Sequence, residues 1–97
     1  MKSTTAARLA ESKAALAEKQ QQSDNIAQQN EALNVDIAET RRELDKKLEE
    51  LDNTRKKKKR AGISAEIDNL RATLNEKEAE LEGNNTELAM LSEEISY

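Results

Sequence analysis

Ile63, Ile67, Leu70, Leu74, Lys77, Leu81, Asn84, Leu88, Leu91 and Ile95 stand alternately four and three residues apart, without a slip. A stripe with that mean spacing of 3.5 residues keeps to one side of an α-helix and marks a seam against another helix. With Ile67, Leu74, Leu81, Leu88 and Ile95 at heptad position a, the other five fall on d. Ile26, Asn30, Leu33, Ile37, Thr40, Leu44 and Leu51 repeat the rhythm in the first half, with Leu48 one step out of it. Leu9 and Leu16 continue its a series towards the N-terminus, with Ser23 and Asn30 between. Composition alone leaves disorder open, because charged residues make up 37% of the 97 and hydrophobic ones only 35%. The stripe decides for helix. One aromatic residue, Tyr97, and many alanines are too little to fill a compact core, while the absence of proline suits long helices.

The two stripes are out of phase. Ile37, Leu44 and Leu51 define a in the first half and Ile67 in the second, and the 23 residues from Leu44 to Ile67 exceed three heptads by two. The break therefore falls within residues 48–62, where the chain reads RKKKKRAG (55–62). One reading is a bend near residues 60–64. Cations would close the last turn of a first helix, Gly62 would follow its end, and Ser64 would cap a second helix, with Glu66 and Asp68 near its start. A hairpin folded there pairs positions whose numbers total about 125, setting Leu74 on Leu51, Lys77 on Leu48, Leu81 on Leu44, Leu88 on Ile37 and Ile95 on Asn30, with Asn84 beside Thr40 and Arg41. The rival is one unbroken helix in a parallel oligomer, which stacks like-charged RKKKKR runs at one level and accommodates the phase shift as a stutter. The expected fold is thus an all-α elongated coiled coil, leaning to the antiparallel hairpin. Its expected segments are a weakly packed helical stretch over 1–25, a coiled-coil helix over 26–54, a basic segment and turn over 55–64, and a second coiled-coil helix over 65–97. Gly83 is expected to lie inside that second helix, since Leu81 to Leu88 keeps the heptad. Asn84 and Asn30 are candidate register-setting layers, and Lys77 is expected to snorkel.

The residues argue against catalysis. There is no histidine or cysteine, so the side chain that most readily titrates near neutrality and the usual zinc ligands are both missing. No GxxxxGK[ST], GxGxxG or GxSxG occurs. Glu76, Glu78, Glu80 and Glu82 spread around a helix instead of converging. The expectation is a chain that is not an enzyme and needs no cofactor or metal. The sequon Asn84-Asn85-Thr86 is at chance level, and no secretory leader or membrane-spanning run is present. An intracellular, cytoplasmic protein or fragment is expected, with a nuclear location as the alternative in a eukaryote.

Two functions fit. The first is a structural, assembly or protein–protein interaction element, a homo-oligomer or part of a larger assembly. Its helix–helix seam comprises Ile26, Leu33, Ile37, Leu44, Leu48, Leu51, Ile63, Ile67, Leu70, Leu74, Leu81, Leu88, Leu91 and Ile95. The second is a binding module that offers Arg55, Lys56, Lys57, Lys58, Lys59 and Arg60 to nucleic acid or another anionic surface. Charge is polarised accordingly: −3 over residues 1–54, +6 over 55–60 and −7 over 61–97, within a total of −4. The run lacks the interleaved aromatics, zinc knuckle or RNP motif that would add sequence specificity, and the first function takes precedence.

Overall fold

In the computed structural model, which describes residues 2–96 apart from the side chains of 2–8 and of residue 10, the chain forms two helices and no strand among those residues. Helix α1 runs Lys2–Asp52 and helix α2 runs Lys57–Ser96. They fold back on one another as an antiparallel hairpin, a rod several times longer than its 15 Å breadth. Tyr97 lies outside the described residues. Long runs of Ala, Glu, Lys, Leu and Gln favour the helical backbone locally, but propensity alone leaves long helices marginal in water. Packing along the seam supplies the rest.

Among the described residues four ion pairs join the helices; exposed Arg41 reaches along the stem to Glu78 at 2.8 Å, and the other three show how the helices face each other. Lys19 meets Glu94 at 3.3 Å, Asp36 meets Lys77 at 3.1 Å and Lys47 meets Glu66 at 2.7 Å. In each of these three the residue numbers total 113. The Asn30 side-chain amide donates to Asn85 Oδ1 at 3.1 Å, a pair totalling 115, so level positions total about 114. This register sets Leu81 level with Leu33, Leu88 with Ile26, Leu74 with Thr40 and Leu70 with Leu44. Where the two helices overlap, every a residue of one then lies opposite a d residue of the other. Ile26, Leu33, Ile37, Ile63, Ile67 and Leu91 are buried, and the other eight seam residues are half-buried. At about 25 cal/mol per Å² of apolar surface removed from water, these residues carry the stability of the hairpin.

The bend and the register both differ from the sequence reading. The chain reverses at Asn53–Lys56, not at 60–64. Ala61, Gly62, Ile63 and Ser64 lie inside α2, so Gly62 ends no helix and Ser64 caps none. No described residue adopts a positive φ, and this reversal therefore needs no glycine. Moving the bend by about six residues moves every partner by eleven. Leu74 faces Thr40, not Leu51, and Asn84 lies beside Asn30, not Thr40 and Arg41. The phase break between the stripes disappears as a problem, because each helix keeps its own heptad and the turn separates them. From Lys2 onward α1 continues unbroken into the coiled-coil stretch. Gly83 lies within α2, as its heptad implies.

Candidate functional site: the basic tip

The turn is held chiefly from the α1 side. Four carbonyls at the end of an α-helix lack helical partners, and here local donors take up several of them. Asn53 N–H donates to Glu49 O at 3.1 Å, Thr54 N–H to Leu51 O at 3.2 Å and Thr54 Oγ1 to Glu50 O at 2.6 Å. Arg60 reaches back across the turn, and its Nη1 donates to Leu51 O and Thr54 O, both at 2.8 Å. The guanidinium thus joins the start of α2 to the end of α1, a role invisible while Arg60 reads as one more cation of the run. No sequence signal short of the bend's true position reveals it.

The other five cations, Arg55 through Lys59, are exposed, and none takes part in an ion pair among the described residues. The sequence reading put the run in the last turn of a first helix, where positive charge is favourable. Instead Lys57–Arg60 form the first turn of α2, with no acidic residue there. Positive charge at a helix N-terminus opposes the helix dipole, typically by about 0.3–1 kcal/mol per charge. These lysines sit where helix stability does not want them.

Lys47 occupies a seam position on α1 and keeps its charge in water. Its Nζ contacts Glu66 at 2.7 Å and Glu50 at 3.2 Å, and the hydrogen bond to Glu66, followed by that to Glu50, raises its pKa above the usual lysine value. Lys77, the polar member of the α2 stripe, is half-buried and reaches Asp36. The asparagine layer is incompletely paired. Asn30 Oδ1 and Asn84 Nδ2 are buried without partners, one an acceptor and the other a donor in the same layer. Farther from the tip, α1 runs beyond the end of α2, since Ile95 lies level with Lys19. Leu9 is 57% and Leu16 is 42% exposed there.

Among the described residues there is no pocket and no metal-holding cluster of acidic side chains. Among the described residues no helix is long and apolar enough to cross a membrane. The architecture defines an all-α coiled-coil hairpin with a basic turn. No protein-family model matches the chain, and neither a curated protein nor a solved structure matches it.

Proposed function

We propose that this chain is a non-enzymatic structural and interaction element, a spacer or docking rod whose stem holds a charged tip away from the end where both helices finish. The observation that carries this reading is the use of the seam. All fourteen seam residues are buried or half-buried against the other arm of the same chain. The apolar stripe therefore stiffens one molecule, and contacts with other molecules fall to the ends of the rod.

The test is a tip-to-stem distance. Spin labels on Lys58→Cys and Ser92→Cys lie 34 residues apart on α2, about 51 Å at 1.5 Å per residue. A spacer gives a narrow distribution near that value, unchanged by dilution. A broad or much shorter distribution, or one that appears only at high protein concentration, would rule out a self-sufficient rod.

A further inference from the structure

We propose that the tip binds the phosphodiester backbone of nucleic acid end-on and without regard to sequence. The inference rests on the docking-rod reading only in that the stem must hold the tip out.

The first ground is a local rule broken for no structural gain. Arg60 accounts for the needs of the turn through its two backbone hydrogen bonds. Lys57, Lys58 and Lys59 make no comparable contact and oppose the α2 dipole. A stability-driven sequence would place Asp, Ser or Glu at that helix start. Departures of this kind collect at functional sites. The second ground is geometry. Successive residues of α2 turn by about 100°, so the three lysines radiate around its axis from the end of a rod 15 Å across. A radiating set can meet phosphates on more than one side of the tip, as the two strands bordering a groove present them.

The chemistry of the tip selects among anionic partners. Residues 53–60 contain no apolar or aromatic side chain, so the tip offers no hot-spot anchor to a protein and no wedge to a lipid surface. What it offers is dense positive charge, which suits a polymer bearing one charge per ~1.7 Å of duplex axis. The −7 carried by residues 61–97 repels that polymer along the stem, which leaves the end-on approach.

The decisive experiment measures the affinity of the full chain for mixed-sequence duplex DNA, duplex RNA and single-stranded DNA across a salt series, starting at about 10 mM, where screening is weak. Binding to at least one of them is expected, with equal affinity for unrelated sequences. For a duplex, the logarithmic salt slope should reach no steeper than about −4.5, because at most five free cations meet phosphates. The three arms then show which polymer supplies the phosphates. The triple variant Lys57→Gln, Lys58→Gln, Lys59→Gln should shallow that slope by up to about three and weaken binding at least tenfold at low salt. It should also melt at a higher temperature than the parent, so that loss of binding cannot be put down to loss of fold. Absence of binding to all three polymers would overturn the proposal, as would an unchanged slope in the triple variant. Binding to phosphatidylserine vesicles but to no nucleic acid would overturn it too. The tip-to-stem distance needs no nucleic acid, so failure of this proposal and failure of the rod reading are separable.

Discussion

Along the stem local preference and tertiary need agree except at the Asn30–Asn84 layer: helix-forming residues carry an apolar seam, and half-buried Lys47 and Lys77 both end in ion pairs. At the tip, from Asn53 to Arg60, they disagree. One cation, Arg60, secures the turn, while its three neighbours load positive charge onto the N-terminus of α2. Consistency across levels is what makes a sequence specify one fold, and a local conflict survives only where the rest of the structure outweighs it. The comparison teaches that the residues of the stem serve stability, whereas the lysines of the tip act against the helix they begin.

The largest expected effect tests the stem. Leu81→Asp puts a carboxylate level with buried Leu33 and should cost roughly 3 kcal/mol or more. That is a large share of the total stability of so small a chain. Circular dichroism should show a collapse of the thermal transition, and unchanged helicity would mean that Leu81 is not in the seam. Arg60→Gln tests whether the cations of the run have distinct roles. It removes charged donors from Leu51 O and Thr54 O and should lower stability by about 1 kcal/mol in chemical denaturation, whereas glutamine at Lys57–Lys59 should raise it. Equal effects from both would erase the distinction.

Smaller effects sharpen the same contrast. A Cβ added at Gly62 meets nothing within 4 Å, and Gly62 lies inside α2. Gly62→Ala should therefore stabilise the chain by about 0.5–1 kcal/mol. A glycine that ended a helix would give the opposite sign. The smallest effect concerns pH. The folded-state pKa of Lys47 is raised above its unfolded value, so its contribution is fully present below the ordinary lysine pKa of about 10.4 and is lost as pH rises through the folded value. Lys47→Gln should flatten the alkaline limb of a stability–pH profile above about pH 10.4 and leave the neutral range level. An alkaline limb unaltered by the substitution would detach that pH dependence from Lys47.

Much of the fold is legible in the residues. The four-three spacing named the seam positions other than Leu48, because a side chain's angular place on a helix follows from its number alone. The break in phase near the basic run favoured antiparallel pairing but was also compatible with a stutter in one continuous helix. The register did not follow. Sliding one arm past the other by eleven residues brings a opposite a instead, as in Leu88 on Ile37, and sets d residues such as Leu33 opposite polar ones such as Ser92. The periodicity of either arm alone is blind to the slide; setting a against d across both arms separates the two registers. Asn30 with Asn85, Asp36 with Lys77, and Lys19 with Glu94 distinguish the observed register, and such pairs are recognisable only once the partners are known. The tip was half legible in the same sense. Its charge stood out, but its place at the start of α2 and the separate task of Arg60 did not.

The sequence by itself determined which face of each helix is buried, because periodicity is a property of one helix. Only the tertiary structure decided where the chain turns, which residues face each other, and which cations are left free. Those are properties of two helices together, set by polar and ionic matches between residues up to 75 positions apart.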